Sequence, residues 1–223
     1  MTSYGQFCPI AKAMEVLDER WTLLVVRELL LGSTHVNELR RGVPKMSPAL
    51  LSKRLRSLTR AGIVTRSVEG GRSVYRLTDC GAELVEVVTS LGIWGTRWIG
   101  ELGEADLDPH LLLWDLRRTV PVSAWPRVRT TVAICFDDVP GARDWWLVVA
   151  GDEVDVCDCD PGFDVAVTVR TSLVTLTRIW RGDLGWEAAL RAGRVRLEGP
   201  ESYRRALPTW IGQSTLAATP RPA

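Results

Sequence analysis

The chain has 223 residues, of which 46% are hydrophobic and 25% charged, with a net charge of +1; this composition is typical of globular proteins and argues against a disordered or fibrous chain. No apolar run of about 18 residues occurs, and the first residues, MTSYG, lack the charged and apolar regions of a signal peptide, so we expect a cytoplasmic protein. This length favours two domains of about 100 residues each.

Basic residues are concentrated in the N-terminal half. Residues 1–100 carry 14 basic and 9 acidic side chains (+5), whereas residues 101–223 carry 14 basic and 18 acidic (−4). Residues 36–76 alone hold ten basic and two acidic side chains. Such a stretch suits a polyanion, because phosphate neutralisation releases counterions. A solvated charged face is the alternative.

Two helices are predicted before Ser47. Apolar residues are dense from Trp21 to Leu31, which predicts a buried helix that ends at Gly32 and exposes Arg27 and Glu28. A short helix is predicted from Val36 to Arg41.

The next helix is predicted from Ser47 to Ala61, since serine caps free N–H groups and the following proline suits the first turn. Leu51, Leu55 and Leu58 form its apolar stripe. The opposite face is small or basic, as a major-groove reader requires. Arg54 lies beside the stripe, where it would brace the helix or contact backbone phosphate. The predicted DNA contacts are Ser47, Ala49, Ser52, Lys53, Arg54, Arg56 and, in the following hairpin, Arg72.

Two β-branched segments, Ile63 to Val68 and Ser73 to Leu77, predict a β-hairpin with Gly70-Gly71 at its tip. A hairpin directly after a recognition helix is the wing of a winged helix-turn-helix. Arg72, beside the tip, would enter the adjacent minor groove. Thr78 is then predicted to cap another helix.

Several blocks agree in order and spacing with one family: Cys8-Pro9, Arg20-Trp21-Thr22-Leu23-Leu24, Asn37-Glu38-Leu39-Arg40-Arg41, Ser47-Pro48, Leu51, Arg54-Leu55 and Tyr75-Arg76-Leu77-Thr78. They resemble the HxlR-type branch of bacterial winged-helix regulators over about residues 5–98. The resemblance implies a homodimer that binds a pseudo-palindromic operator. The Gly70-Gly71 tip departs from the proline-rich turn frequent in that family. A cysteine at the position of Cys8 serves some members as a redox or electrophile sensor; a buried, inert thiol is the alternative.

The helix predicted from Asp79 to about Glu101 has one apolar face. Its members are Leu84, Val87, Val88, Leu91, Trp94 and Trp98. Because a small winged helix has little core left to cover, we predict that this face joins two copies of the chain. The alternative is that it covers the domain's own core or the C-terminal domain.

An acidic connector over residues 101–108 predicts two domains, a winged helix-turn-helix over residues 1–103 and an α+β domain over residues 104–223. After a helix from Leu111 to Arg118, turn residues between the β-type stretches predict antiparallel pairing. These stretches are Arg129–Phe136, Trp145–Ala150, Glu153–Cys157 and Val165–Arg170. A helix over Leu173–Trp180, a short strand over Val195–Leu197 and a last helix around Ser202–Leu207 follow.

This order, with the segments Asp164–Val169, Gly182-Asp183 and Ala188–Gly199, resembles the sterol-carrier-protein-2-like fold over about residues 107–210. The resemblance implies a five-stranded sheet whose helices can enclose an apolar cavity. Trp114, Trp146 and Trp180 are its candidate lining residues, although tryptophans at such spacings are equally often core. We expect a small apolar ligand there to modulate DNA binding; a permanently packed domain is the alternative.

Little reaction chemistry is visible. The cysteines and the two histidines match no zinc pattern, and no nucleophile–base constellation or phosphate loop stands out. We therefore expect no metal, no cofactor and no enzymatic activity. Three functions remain open: a ligand-responsive DNA-binding dimer, a thiol sensor acting through Cys8, and a lipid or hydrophobe carrier whose winged helix mediates protein contacts.

Overall fold

The computed structural model describes residues 3–99, 101–141 and 143–222. The chain divides into two compact units, unit 1 up to Gly95 and unit 2 from Thr96 onward. The division lies within a helix. The acidic connector, where the sequence suggested a boundary, therefore belongs to unit 2.

Unit 1 has the element order of a winged helix-turn-helix. Its elements are α1 (Pro9–Leu17), α2 (Thr22–Leu30), α3 (Val36–Gly42), α4 (Pro48–Arg60), β1 (Val64–Glu69), β2 (Arg72–Leu77), α5 (Asp79–Ala82) and α6 (Leu84–Trp98), whose last residues lie in unit 2. Gly70 and Gly71, with φ of 55° and 76°, form the two-residue turn between β1 and β2, because that turn needs positive φ at both positions. The predicted helix that begins after Ser47 and the predicted β-hairpin are confirmed.

The core of unit 1 lies between α2, α3 and α4. The predicted stripe of Leu51, Leu55 and Leu58 is buried against Val25 of α2 and Leu39 of α3. Full burial of each such side chain contributes about 1.5–3 kcal/mol. This packing directs the opposite face of α4 outward.

The hairpin is attached to the chain that precedes α3. The Tyr75 N–H donates to Thr34 O at 2.8 Å, and His35 forms an isolated β-bridge with Val74. These bonds fix the wing relative to the helix-turn-helix within unit 1.

The single long helix predicted from Asp79 is interrupted. The first helix ends at Ala82, Glu83 is in a turn, and α6 begins at Leu84. A Cβ at Gly81 would lie 2.2 Å from Ile63 O, so α5 packs directly on the chain before β1. Apolar periodicity does not report such a close approach, and the prediction of one helix was wrong. The predicted end near Glu101 was about three residues too late, because α6 ends at Trp98 and neither Ile99 nor Glu101 is helical.

Unit 2 is an α+β unit. Its helices are α7 (Pro109–Thr119), α8 (Leu173–Trp180), α9 (Trp186–Arg191) and α10 (Glu201–Trp210), with 3₁₀ turns at Glu104–Asp106 and Val122–Ala124. Its strands are β3 (Thr130–Phe136), β4 (Asp144–Ala150), β5 (Glu153–Cys157), β6 (Val165–Thr171) and β7 (Val195–Glu198). The strands form one sheet in the order β5-β4-β3-β6-β7.

The sheet is mixed rather than wholly antiparallel as predicted. The pairs β3–β4, β4–β5 and β6–β7 are antiparallel, but β3 and β6 are parallel. Turn residues fix the direction of strands that a hairpin joins. They do not fix the direction of β6 relative to β3, because β4 and β5 lie between these two strands in the sequence and no single turn joins them.

Helices cover one face of this sheet, here called the inner face. Leu113 of α7, Leu176 of α8 and Leu207 of α10 pack there. Trp145 and Leu147 of β4 also lie in this core. Because side chains alternate along a strand, Trp146 and Val148 lie on the opposite, outer face.

Candidate nucleic-acid interface

The exposed face of α4 begins at a well-formed cap. Ser47 occupies the N-cap position and its Oγ accepts a hydrogen bond from the Leu50 N–H at 3.3 Å, while Pro48 occupies the first turn. The structure brings six of the seven predicted DNA contacts to the surface: Ser47, Ala49, Ser52, Lys53 and Arg56 on α4, and Arg72 on the wing.

Three of these residues are cationic and available. Among the described residues, Lys53, Arg56 and Arg72 have no hydrogen-bonding or ion-pairing side-chain partner. Short side chains precede them on α4, so a polyanion can approach the helix closely. We call Lys53, Arg56 and Arg72 the contact side of unit 1.

Other arginines of the wing are already paired. Arg66 donates to Ser73 Oγ at 3.2 and 2.9 Å, and Arg76 forms an ion pair with Glu69. The Arg76 guanidinium, with the Ser67 hydroxyl, lowers the pKa of Glu69 to about 2. Glu69 therefore stays ionised at neutral pH and ties the two strands together beside the tip.

Arg54 differs from the other predicted contacts. Its side chain is buried, with the residue only 8% exposed. Its Nε donates to Arg20 O at 3.0 Å, and its guanidinium pairs with Glu19. Arg54 therefore ties α4 to the turn before α2, where Trp21 has a left-handed φ of 80°. This position suits the bracing role that the sequence left open.

A second brace joins α2 to the end of α3. Glu28, expected on the exposed side of its helix, is fully buried. The Arg27 Nη2 donates to Glu28 Oε1 and to Gly42 O, both at 2.8 Å. A Cβ at Gly42 would lie only 1.8 Å from Glu28 Cδ. The exposed placement of Glu28 was wrong, because periodicity cannot show that α3 covers this side of α2.

Only part of the apolar face of α6 packs against the core of unit 1, and the rest is exposed. Leu84 and Val88, near its start, pack against the unit 1 core. The remaining predicted members, Val87, Leu91, Trp94 and Trp98, are exposed, with Trp94 at 56%. Two further apolar residues are exposed, Phe7 before α1 at 99% and Ile10 on α1 at 73%. Their exposure was not predicted from the sequence.

The N-terminal part of the chain is similar to known helix-turn-helix proteins. The model of the HxlR-like helix-turn-helix family matches residues 16–102. Over 99 residues the chain is 37% identical to the HTH-type transcriptional regulator YvaP of Bacillus subtilis, a match that covers 92% of that protein and 43% of this chain. The chain belongs to the HxlR-like helix-turn-helix family.

Two further similar proteins are also named transcriptional regulators. The HTH-type transcriptional regulator sll1512 of Synechocystis is 35% identical over 98 residues, covering 73% of that protein and 43% of this HxlR-like chain. The solved reduced form of the transcriptional regulator YodB from B. subtilis is 27% identical, with a TM-score of 0.38, covering 97% of that chain and 43% of this one. The family match ends at residue 102, before the sheet of unit 2.

Cys8 of this HxlR-like chain lies at the N-cap of α1 and is partly buried. The nearby Lys12 Nζ donates to Glu15 Oε1 at 2.9 Å. The Lys12 ammonium, on the first turn after Cys8, therefore has a carboxylate partner of its own.

The three candidate tryptophans of unit 2 do not line one pocket. Trp180 packs against the inner-face core and its Nε1 donates to Thr119 Oγ1 at 3.2 Å. Trp146 lies on the outer face, so the sheet separates the two. Trp114 is stacked by the guanidiniums of Arg117 and Arg118. The expectation of one pocket was wrong, because helical or strand spacing shows that a residue is buried but not on which face.

Within the three described stretches of the chain, no group of three or more histidine, cysteine, aspartate or glutamate side chains is placed to hold a metal ion. None of the helices there has both the length and the apolar character to cross a membrane.

Proposed function

We propose that this HxlR-like chain is a cytoplasmic transcription regulator that binds operator DNA as a homodimer. The observation that carries the proposal is the contact side, on which Lys53, Arg56 and Arg72 are exposed and have no carboxylate partner among the described residues. Exposed, unpartnered cations on a helix face and an adjacent hairpin are what phosphate neutralisation requires.

The proposed docking puts α4 in the major groove. Ser47, Ala49 and Ser52 are short and exposed, so they let the helix backbone approach the base edges. Lys53 and Arg56 then reach guanine acceptors or phosphates. Arg72, beside the wing tip, is placed to enter the adjacent minor groove. Arg54 is omitted from this surface because its guanidinium is buried and paired.

The proposed dimer uses the exposed part of α6. A pseudo-palindromic operator presents two half-sites about one helical turn apart, so two recognition helices need a symmetric scaffold. Val87, Leu91, Trp94 and Trp98 leave an apolar face exposed in the single chain. Exposed apolar patches of this kind mark protein interfaces.

Unit 2 is proposed to be a sterol-carrier-protein-2-like effector domain. Its mixed sheet, with helices over the inner face, supports this assignment. The sequence favoured an apolar effector held by Trp114, Trp146 and Trp180. Because these residues lie apart, the small-molecule effector of this proposal would bind elsewhere in unit 2.

The test is operator binding by single-residue variants. Fluorescence anisotropy at fixed salt, with DNA from upstream of the protein's own coding sequence, should show about tenfold weaker binding for Lys53→Ala and for Arg56→Ala. Each variant should also lower the salt slope of log K by about one. Lys12→Ala is the matched control, because it removes one exposed lysine charge from α1. Wild-type affinity in both α4 variants would refute the assignment.

Two other outcomes separate the remaining functions. DNA release by an oxidant that Cys8→Ser prevents would identify a thiol sensor. Retained lipid in native mass spectrometry, without any operator binding, would identify a carrier whose winged helix contacts proteins.

A further inference from the structure

An open cleft of about 350 Å³ lies in unit 2, where β3 and β6 end and β4 and β7 begin. Its walls include four arginines, Arg143, Arg170, Arg194 and Arg196. The carboxyl ends of neighbouring parallel strands are a common location for ligand sites in open sheets. We call this site the arginine cleft.

The strand register puts two of these arginines side by side. Cys135 of β3 pairs with Arg170 of β6, and Arg170 pairs in turn with Arg196 of β7. Arg170 and Arg196 are therefore direct cross-strand neighbours in an antiparallel pair. Like charges in such positions destabilise a sheet. A negatively charged ligand between them would remove this cost.

Some of the charges in the cleft are already balanced. Arg170 Nε donates to Glu198 Oε1 at 2.8 Å. Burial, and then the Asp144 carboxylate, raise the pKa of the Cys135 thiol to about 11, so the thiol is neutral at pH 7. A neutral thiol balances no charge, so of these two contacts only the Arg170–Glu198 ion pair neutralises a cation of the cleft.

The remaining charge is positive. Arg194 and Arg196 have no side-chain partner among the described residues. Arg143 uses its Nε to bond Val139 O at 3.0 Å, which leaves its two Nη groups available. The acidic residues in the walls are Asp137 and Asp144. Three guanidiniums therefore face two carboxylates.

We propose that the arginine cleft binds a small molecule that carries carboxylate or phosphate groups, and that this anion is the effector of unit 2. Guanidinium groups bind planar carboxylates and phosphates through two parallel N–H bonds. A volume of about 350 Å³ is at the small end of ligand sites, which suits a compact anion. The binding site stands on unit 2 alone, whereas the effector role rests on the function proposed above.

The binding test uses the full chain and three probes: inorganic phosphate, succinate and glycerol 3-phosphate. At constant ionic strength, each probe that binds should raise Tm saturably, and glycerol should not. Arg194→Gln and Arg196→Gln should each weaken the Kd, measured by titration calorimetry, about tenfold. Arg204→Gln is the control, because Arg204 is exposed on α10 and outside the cleft.

A second readout shows that the variant is folded. Without any probe, Arg196→Gln should raise Tm, because it removes the like-charged neighbour of Arg170. If none of the probes binds below about 10 mM, or if Arg204→Gln weakens binding as much as Arg196→Gln does, the arginine cleft is not the site.

The effector role is tested separately by operator anisotropy with and without a bound probe. A change in operator affinity that Arg196→Gln abolishes supports the proposal. Unchanged affinity in a probe-saturated, DNA-binding protein overturns the effector role. Displacement of the probe by duplex DNA overturns the small-molecule site in favour of a DNA contact. If the chain binds no DNA at all, the function proposed above fails, while the calorimetric result still decides the site.

Discussion

Two sides of unit 1 use the same kind of residue in opposite ways. On the contact side, Lys53, Arg56 and Arg72 are exposed and lack partners among the described residues. On the other side, here called the bracing side, Arg27 and Arg54 are bound to carboxylates and backbone carbonyls. Arg54 and Arg56 are two residues apart on one helix. Net charge along the sequence therefore overstates the charge that a polyanion can reach, because burial and pairing decide which cations remain.

Unit 2 extends this lesson, since its basic residues are all arginines. Many of them pair with nearby carboxylates: Arg118 with Asp115, Arg181 with Asp183, Arg191 with Glu187 and Arg205 with Glu201. The arginine cleft differs because its cations outnumber the carboxylates beside them.

The largest expected effect comes from filling the space between α2 and α3. In Gly42→Ala the new Cβ would overlap the buried Glu28 carboxylate, so the Arg27–Glu28 pair must move or break. Unit 1 should lose about 3 kcal/mol of its free energy of unfolding, seen as faster hydrogen exchange of α2 and α3 amides.

Gly95→Ala is the matched control for this change. A Cβ at Gly95 meets nothing within 4 Å, and the residue is inside α6. Replacing a helical glycine by alanine there should stabilise the protein by about 0.5–1 kcal/mol. If Gly42→Ala behaves as Gly95→Ala does, the bracing side does not hold α3.

A change outside both sides tests whether the contact side needs a second copy. Leu91→Glu puts a carboxylate on the exposed apolar face of α6 and should give monomers by light scattering. Operator affinity should fall about a hundredfold, because the two half-sites are no longer linked.

Thr89→Glu is its control, because Thr89 is exposed and lies roughly 160° around the helix from Leu91. A dimer that survives Leu91→Glu would move the interface elsewhere.

Arg54→Ala and Arg56→Ala compare the two sides within one helix. Arg54→Ala removes the bonds to Arg20 O and Glu19 and should cost about 1–3 kcal/mol of stability. Arg56→Ala should change stability by less than about 0.5 kcal/mol and instead weaken DNA binding. Thermal unfolding measures the loss of stability in both variants, and fluorescence anisotropy measures their DNA affinity. Equal losses of stability would remove the distinction between the sides.

The smallest expected effect comes from a substitution that adds one free cation beside the contact side. Glu69→Gln releases Arg76 from its ion pair on the wing, which should tighten DNA binding about threefold and steepen the salt slope of log K by up to about one. Glu69→Asp keeps the charge and should keep wild-type affinity.

The wild-type pair also has a defined pH dependence. Because the pKa of Glu69 is lowered from 4.5 to about 2 in the fold, the pair's contribution to stability is complete above 4.5 and is lost as pH falls toward 2. Wing hydrogen exchange should therefore not change between pH 6 and 8 once corrected for intrinsic rates. A change in that range would contradict this account of the pair.

Local chemistry in the sequence predicted much of unit 1. Ser47-Pro48 marked the start of α4, and Gly70-Gly71 marked the turn of the wing, because both depend on neighbouring residues alone. Periodicity also gave the buried stripe of Leu51, Leu55 and Leu58. These three signals are sufficient to orient the face of α4.

Contacts between distant segments could not be predicted in the same way. The burial of Glu28 depends on Gly42, and the close packing of α5 depends on the approach of Gly81 to Ile63. The arginine cleft was missed because it requires the β6–β7 register, which puts Arg170 opposite Arg196. Glu28 itself was an available signal of a buried contact, because a carboxylate inside the apolar segment from Trp21 to Leu31 needs a partner.

The parallel pairing of β3 with β6 has a consequence for how the chain acquires its structure. Val132 and Val167 are 35 positions apart in sequence yet adjacent in the sheet, so a long loop must close before the central strands can meet. Folding slows as contacts become less local, whereas the α4 and hairpin contacts of unit 1 join neighbouring segments. Because synthesis proceeds from the N-terminus and domains fold as units, unit 1 should reach its native fold while unit 2 is still being made.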